Sequence, residues 1–218
     1  MELERISIYR MTHIENISHI LEYGITHRDS PNANLNYITI GDVSLINTRN
    51  QKTVIVNNGY SQFESNSLIV LGDFIPFYFG VKMPMLYVMQ NGGNFVEKAT
   101  PSKDIIYIAC SLQKIIQSEI KYYFSDGHAT DGLTTFYNKD KINDLPNIIE
   151  WNSVRAPYWG GQENLNVKRK KQAEFLVLGD LNIDFVVGFG CYNEHAKQKL
   201  TAMGIEESKI KIIPNAYY

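Results

Sequence analysis

The order of secondary-structure signals in this 218-residue sequence predicts an α+β fold with a twisted, largely antiparallel sheet. Short apolar runs typical of strands recur along the chain, few segments show helical periodicity, and two long polar stretches interrupt them. No internal repeat and no Pro/Gly/Ser-rich linker divides the sequence. Residues 1–218 are therefore predicted to form a single domain.

The first predicted elements are a strand and the helix that follows it. The segment "ISIYRM" (6–11) alternates apolar and polar residues, as half-buried strands do. A helix is predicted within "THIENISHILEYGI" (12–25), with Asn16 as its N-cap and Gly24 as its end. Residues 28–66 then become polar and lose periodicity, which predicts a long functional loop.

The remaining elements are predicted from the second half of the chain. The apolar run "DIIYIAC" (104–110) predicts a strand, and Ser111 is the expected cap of the helix that follows it. Residues 122–166 are predicted to be largely irregular. A late helix begins after Asn193 and ends at Gly204. The last three predicted strands are "AEFLVL" (173–178), "DFVVGFG" (184–190) and "IKIIP" (210–214).

Composition excludes several classes of protein. The formal net charge is −2, so a nucleic-acid partner has to be met by a local basic patch. Cys110 and Cys191 form no CxxC pair and no Cys/His cluster, so no metal site is predicted. No segment has a signal-peptide core or approaches the ~20 apolar residues of a membrane span. The protein is therefore predicted to be cytoplasmic, with no membrane contact.

Several familiar catalytic motifs are missing from the sequence. It has no P-loop, no GxGxxG after a strand, no HExxH and no GxSxG. The five histidines are too scattered to suggest a metal centre; they are His13, His19, His27, His128 and His195. A hydrolase or a dinucleotide-binding Rossmann enzyme therefore has no support.

Glu174 is a lone carboxylate between four consecutive cations, Lys168 to Lys171, and a strand-like apolar run. One interpretation is a surface glutamate whose charge these cations offset. The other is a carboxylate held rigidly at the mouth of a core strand, where it orients a substrate hydroxyl or accepts a proton. Spacing alone does not choose between them.

Three further segments also allow two interpretations each. Arg49 in "GDVSLINTRN" (41–50) is either a solvated loop cation or a guanidinium that stabilises an anionic phosphate or a developing charge. His128 in "SDGHATDG" (125–132) is either a loop histidine or a catalytic one. The aromatic side chains of "GDFIPFYFGVKMPMLY" (72–87) form either core or a stacking wall for a flat ring ligand.

Five segments, taken in order, resemble the DarT family of single-stranded DNA ADP-ribosyltransferase toxins. The segments are "YRMTHIENISHILEYGI" (9–25), "IGDVSLINTRN" (40–50), "GDFIPFYF…PMLY" (72–87), "SDGHAT" (125–130) and "KRKKQAEFLV" (168–177), followed by the terminal "YY". The resemblance covers nearly the whole chain. It implies an ADP-ribosyltransferase fold, in which a split twisted sheet flanked by helices holds NAD in a cleft between its halves.

The resemblance also implies an activity and its residues. Such enzymes transfer ADP-ribose from NAD to a base of single-stranded DNA, usually thymine, without a metal. Glu174 resembles the catalytic glutamate of the family, and Arg49 resembles its catalytic arginine. The residues expected to contact NAD are Arg10, Met11, Thr12, His13, His19, His27 and Tyr78. Those expected to contact DNA are His128, Trp151, Arg155, Tyr158, Lys168, Arg169, Lys170 and Lys171.

A partner and several alternatives follow from the same resemblance. The implied partner is a macrodomain antitoxin of the DarG type, which removes the modification from DNA. One alternative is an ADP-ribosyltransferase that acts on guanine, RNA or protein. Another is a nucleic-acid-binding relative that has lost catalysis, although the presence of both Arg49 and Glu174 disfavours it.

Overall fold

Ten strands form one sheet in the computed structural model, which describes residues 2–60, 67–92, 96 and 98–218. In chain order the strands are β1 (Ser7–His13), β2 (Thr53–Val56), β3 (Ser67–Val70), β4 (Phe74–Tyr78), β5 (Ile105–Ser111), β6 (Tyr122–Ser125), β7 (Phe136–Tyr137), β8 (Glu174–Leu178), β9 (Val186–Cys191) and β10 (Ile210–Ile212). Their spatial order is β10-β9-β5-β1-β4-β8-β6-β7-β2-β3. The pairs β9–β10 and β2–β7 are parallel and the other neighbours are antiparallel, as predicted.

The sheet is split between its two central strands. β1 pairs with β5 over seven residues and β4 pairs with β8 over five, but β1 and β4 pair only at Tyr9 and Tyr78. Beyond that pair the strands diverge, and the Arg10 guanidinium donates across the gap to the Pro76 carbonyl at 3.0 Å. Proline has no N–H to donate to a ladder, so Pro76 is tolerated on this incompletely paired strand. The split sheet implied by the family resemblance is confirmed.

Eight α-helices flank the sheet within the described ranges. They are α1 (Ile17–Tyr23), α2 (Val43–Gln51), α3 (Pro84–Asn91), α4 (Leu112–Ile116), α5 (Leu145–Ile148), α6 (Trp151–Arg155), α7 (Leu165–Lys171) and α8 (Glu194–Ala202). None of these helices is long and apolar enough to cross a membrane. Together with the mixed sheet they confirm the α+β class.

Most of the predicted helix ends are confirmed. Gly24 closes α1 at φ +81°, where only glycine is comfortable. Ser111 and Asn193 cap α4 and α8 by accepting the N–H three residues further on. Asn16 stands at the N-cap of α1 but does not cap it. Its side-chain amide instead bonds both the N–H and the carbonyl of Ile38, each at 2.9 Å, and so fixes the loop beside the cleft described below.

The two long irregular regions were predicted too broadly. Residues 28–66 contain α2 and β2, while residues 61–66 of that predicted loop lie outside the described part of the chain. No residue of α2 is buried, so the helix leaves no apolar stripe in the sequence. Residues 122–166 contain β6 and β7 together with short helices. All four residues of β6 are buried, and a uniformly buried strand has no alternating pattern.

The core lies on both faces of the central strands because successive side chains of a strand alternate. Ile8 and Ile106 point to the face that α1, α4 and α8 cover, whereas Met11 and Tyr107 point to the face that α3 covers. Cys110 is fully buried, as predicted, and burial raises the pKa of its thiol to about 12. The aromatic segment 72–87 is mostly core, and its aromatic residues Phe74 and Tyr78 line the cleft at the sheet split.

Candidate active site

A cleft of about 320 Å³ lies where the sheet splits. Arg10 and Met11 of β1 form one wall, and Tyr78 of β4 forms another. The helix α2 closes a third side with Leu45 and Arg49. The cleft therefore draws on both halves of the sheet, and on the segment that the sequence predicted to be a functional loop.

Arg49 and Glu174 form a buried ion pair behind the cleft wall. The Nη1 atom of Arg49 donates to both carboxylate oxygens of Glu174, at 3.1 Å to Oε1 and 2.8 Å to Oε2. Glu174 is 0% exposed, whereas the Arg49 side chain is 15% exposed and lines the cleft. The interpretation of Glu174 as a surface residue offset by its neighbouring cations is therefore wrong.

The strand start and a nearby loop fix the Glu174 carboxylate. The backbone N–H of Glu174 donates to Ser125 Oγ at 3.2 Å, and that hydroxyl donates to the carbonyl of Gly127 at 2.7 Å. Oε1 also accepts the N–H of Ala129 at 3.0 Å. An ionised carboxylate has about four lone-pair sites, and three are used here. The fourth site, on Oε2, receives no hydrogen bond from the described residues.

The helix α2 places Arg49 against this carboxylate. Asp42 caps the helix by accepting the N–H of Leu45 at 3.0 Å. Gly72 lets the chain before β4 approach the other end, since a Cβ there would lie 2.7 Å from the Cα of Asn50. The Nη2 atom of Arg49 is buried and has no hydrogen-bond partner among the described residues. A buried unsatisfied donor is costly, so Nη2 is a group prepared to bind an incoming acceptor.

Two of the polar side chains that line the cleft are His128 and Tyr78. The Nδ1 atom of His128 lies 2.8 Å from Thr130 Oγ1, and burial lowers the pKa of the imidazole. Burial, and after it the charge of Glu174, raises the pKa of the Tyr78 phenol above its usual value. His128 is therefore unprotonated and Tyr78 protonated at physiological pH, so each is available for hydrogen bonding without adding charge.

The structure brings four of the seven predicted NAD contacts to the cleft, namely Arg10, Met11, His27 and Tyr78. His27 is fixed there by Gly72, whose carbonyl lies 2.8 Å from Nε2. The other three lie elsewhere, and their positions give the predicted contact no support. Thr12 is buried and bonded to Asn16, His13 accepts the N–H of Glu15, and His19 packs against the Tyr23 ring.

Sequence reasoning missed several polar side chains of the cleft, among them Tyr37 and Thr130. Tyr37 lines it and shares a hydrogen bond of 3.3 Å with Thr12, but it belongs to a stretch without periodicity. Thr130 lines it as well, and its signal was present because it ends the segment "SDGHAT". No group of three metal-ligating side chains comes together in the described part of the chain.

Comparison with known proteins connects this geometry with a family. The model of the family described as "ssDNA thymidine ADP-ribosyltransferase, DarT" matches residues 9–218. The chain belongs to the DarT family. A DNA ADP-ribosyl transferase of Thermus sp. (strain 2.9) is 30% identical over 80% of this chain and 75% of its own length. Another, from Escherichia coli O127:H6, is 28% identical over 90% of this chain and 85% of its own length.

Further relatives include a fusion protein and solved structures. A DNA ADP-ribosyl transferase–DNA ADP-ribosyl glycohydrolase fusion protein of Thermosipho africanus is 29% identical over 78% of this DarT-family chain and 38% of its own length. Thermus sp. 2.9 DarT in complex with ADP-ribosylated single-stranded DNA superposes with a TM-score of 0.81 at 23% identity, covering 99% of this chain and 97% of that one. The same Thermus protein in complex with NAD+ gives a TM-score of 0.75. These structures show that the chain has the DarT fold.

The four consecutive cations of this DarT-family chain do not form one basic patch. They lie on α7, where successive residues point about 100° apart, so that they face different surroundings. Arg169 is buried and bonds Asp126 at 3.1 Å, and Gly127 leaves room for its guanidinium. Lys171 is buried and donates to two backbone carbonyls. Arg169 is therefore not a solvated cation available to DNA phosphates, and the prediction that all four cations meet phosphates is wrong for this residue. Lys171 lines a cavity separate from the cleft.

The remaining predicted DNA contacts are more accessible. Lys168 is exposed, with its ammonium 5.4 Å from the centre of the Trp159 ring, and Lys170 is half-buried. Tyr158 is 66% exposed, and Arg155 is exposed with its guanidinium over the Trp151 ring. Trp151 itself packs edge-on against the core residue Phe79. His128 differs from all of these, because it lies in the cleft.

Two adjacent cations on α7 are predicted to differ in how much they contribute to stability. Arg169→Ala is expected to lower the free energy of unfolding by about 3 kcal/mol, since it leaves Asp126 without its buried partner. Lys168→Ala is expected to change it by less than about 0.5 kcal/mol, as exposed substitutions usually do. Urea unfolding followed by circular dichroism measures both. Equal, small changes in the two variants would contradict the structural role of Arg169.

Proposed function

We propose that the protein transfers ADP-ribose from NAD to a thymine base in single-stranded DNA and releases nicotinamide. The observation that carries this proposal is the Arg49–Glu174 pair, held at the cleft where the sheet splits. Membership of a family of single-stranded DNA ADP-ribosyltransferases supports the reaction class. The reported complexes of the Thermus relative with NAD+ and with ADP-ribosylated DNA support both substrates.

The carboxylate is suited to the first half of the reaction. When the bond between the ribose and nicotinamide breaks, its electron pair leaves with the nicotinamide nitrogen and the sugar becomes oxocarbenium-like. A fixed negative charge close to the sugar stabilises that positive charge without reorganisation. The remaining lone pair of Glu174 Oε2 accepts a ribose hydroxyl and so orients the sugar.

The arginine is suited to the second half. A thymine ring nitrogen carries a proton and becomes a good nucleophile for the sugar carbon as that proton leaves. The free Nη2 of Arg49 donates to a base carbonyl and so stabilises the negative charge that develops on the ring. A guanidinium does not give up its own proton, so Arg49 acts through charge, and the neutral His128 is the cleft residue able to take up the thymine proton.

We also propose a biological setting. A base-modifying enzyme of this kind blocks replication wherever strands open, so it acts as a cytoplasmic toxin. The fusion of a relative to a DNA ADP-ribosyl glycohydrolase supports a partner that reverses the modification, namely a macrodomain antitoxin of the DarG type. Growth arrest on expression, relieved by that hydrolase, is the expected phenotype.

The test is to incubate the protein with NAD and four oligonucleotides, each with one central base flanked by a homopolymer that lacks it. Fragmentation mass spectrometry then locates the added ADP-ribose. Addition to the thymine oligonucleotide alone is expected. Addition to guanine, to RNA or to protein would replace the proposed acceptor, and strand binding without NAD consumption would identify a non-catalytic relative.

A further inference from the structure

A second cavity, of about 460 Å³, lies beside the cleft and is rich in positive charge. Four cationic side chains line it, and no aspartate or glutamate is among its described lining residues; the cations are Arg5, Lys82, Arg155 and Lys171. Aromatic rings of Tyr9, Phe79 and Trp151 supply the apolar part of its wall. This cavity shares no lining residue with the cleft, so it is a separate site.

Lys171 is the cation that best indicates a ligand. Its side chain is 2% exposed, and its Nζ donates to the carbonyls of Val154 at 2.9 Å and Ala156 at 3.0 Å. An ammonium group has three N–H donors, so one remains for a group inside the cavity. Burial, and after it the charge of Lys82, lowers the pKa of Lys171 to about 8. A buried cation with a second cation close by is stabilised by an anion between them.

Lys82 is held in place by an unusual backbone. Its φ is +57°, in the left-handed region that side chains other than glycine and asparagine rarely adopt. Tyr107 accepts its N–H at 2.9 Å, and its carbonyl accepts the hydroxyl of Tyr218 at 3.0 Å. Its ammonium lies 5.1 Å from the centre of the Tyr218 ring. Strain that is fixed from both sides is typical of functional positions, and here it presents a cation to the cavity.

The cavity is close to the reaction centre. Tyr9, which lines it, pairs across the sheet with Tyr78 of the cleft, and Tyr78 pairs in turn with Glu174. Neighbouring strands are about 4.8 Å apart, so this row spans roughly 10 Å. Lys171 also precedes Glu174 by only three residues. A strand whose base enters the cleft therefore has its sugar-phosphate backbone within reach of the cavity.

We propose that this cavity binds one backbone phosphate of the substrate strand, adjacent to the modified base. This inference rests on the proposed transfer to single-stranded DNA. The two lysines provide the charge, and the third N–H of Lys171 provides a directed hydrogen bond. The aromatic wall accommodates the neighbouring sugar or base.

The test removes one charge at a time from each side of the contact. Fluorescence anisotropy measures the dissociation constant of a thymine-containing oligonucleotide in which a neutral methylphosphonate replaces each phosphate in turn. For the wild-type protein, one linkage is expected to weaken binding on the order of tenfold. In Lys82→Met and Lys171→Met, the same replacement is expected to cost less than about threefold, because the partner charge is already absent.

Matched controls make the result decisive. Lys211→Gln changes an exposed lysine on the edge strand β10 that is not among the lining residues of the cavity, and it is expected to retain the wild-type pattern. Lys171→Met removes two buried hydrogen bonds and is assessed first by circular dichroism. If it is unfolded, Lys82→Met carries the test alone, since Lys82 is pinned through backbone atoms that the substitution keeps.

Three outcomes would overturn the proposal. One is a wild-type protein with no sensitive linkage, and another is a linkage that stays sensitive in Lys82→Met. The third is a Lys82→Met variant with a raised KM for NAD and an unchanged DNA affinity, which would assign the cavity to the NAD pyrophosphate.

Inorganic phosphate at millimolar concentration is expected to displace the oligonucleotide from the wild-type protein but not from Lys82→Met. Failure of the proposed function is distinguished by the absence of any transfer to DNA by the wild-type protein.

Discussion

Glu174→Gln is expected to lower the rate of ADP-ribose transfer by roughly 10²- to 10⁴-fold. Glutamine has nearly the same shape and keeps an oxygen that accepts the N–H of Ala129. It lacks the negative charge that stabilises the oxocarbenium-like sugar, so the loss is expected in kcat more than in the KM for NAD. Initial rates of nicotinamide release and of DNA modification measure it.

The control is Glu119→Gln, which makes the same change at an exposed glutamate in the turn before β6. Its rate is expected to match the wild type. Because Glu174→Gln leaves the Arg49 charge without its partner, a thermal melt has to show that the variant is folded at the assay temperature. A folded Glu174→Gln variant that transfers at the wild-type rate would exclude the carboxylate from the reaction.

Arg49→Lys is expected to reduce transfer by roughly 10²- to 10³-fold, although it conserves charge. A lysine ammonium is able to pair with Glu174, but it has no equivalent of Nη2, the buried donor without a partner among the described residues. The variant is therefore expected to fold and to bind NAD while failing to activate the base. Single-turnover rates with saturating oligonucleotide, and binding of NAD by calorimetry, separate the two effects.

A double variant tests whether the two residues act as a unit. Residues in direct contact show non-additive effects, and the Arg49 guanidinium is bonded to the Glu174 carboxylate, so Glu174→Gln with Arg49→Lys is expected to lose less activity than the product of the two single losses. Fully multiplied losses would show that the residues work independently. Arg49→Lys with near wild-type transfer would mean that Nη2 has no part in the reaction.

Much of the fold is readable from the sequence because the central strands have simple patterns. β1 alternates, β5 and β8 are continuous apolar runs, and the glycine and capping residues that end α1, α4 and α8 are local signals. Glu174 stands out for the same reason, as the one charge at the start of a buried strand. The family resemblance adds Arg49 to it, and the ion pair between them joins residues that are 125 positions apart.

The remaining features depend on tertiary contacts that no local pattern records. α2 has no buried residue and leaves no apolar stripe in the sequence, so Arg49 was assigned to a loop although it lies on a helix. The cations of α7 look alike in sequence, yet Arg169 and Lys171 are buried because Asp126 and the carbonyls at the end of α6 lie beside them. Thr12 and His19, which were expected at the cleft, instead contact Asn16 and Tyr23, each four residues further along the chain.

β1 and β4 pair at one position, so the boundary between these two strands is a seam between the two halves of the sheet. The wall formed by Arg10 and Met11 belongs to one half of the sheet, while Glu174 at the start of β8 belongs to the other. Their separation is set by one tyrosine pair, Tyr9 and Tyr78, and by the bridge from Arg10 to Pro76. A small molecule wedged into that seam would pull the sugar away from its acid while leaving every reacting group untouched. We therefore expect two routes to inhibition, a ligand that separates the two halves of the sheet and a ligand that competes with a substrate.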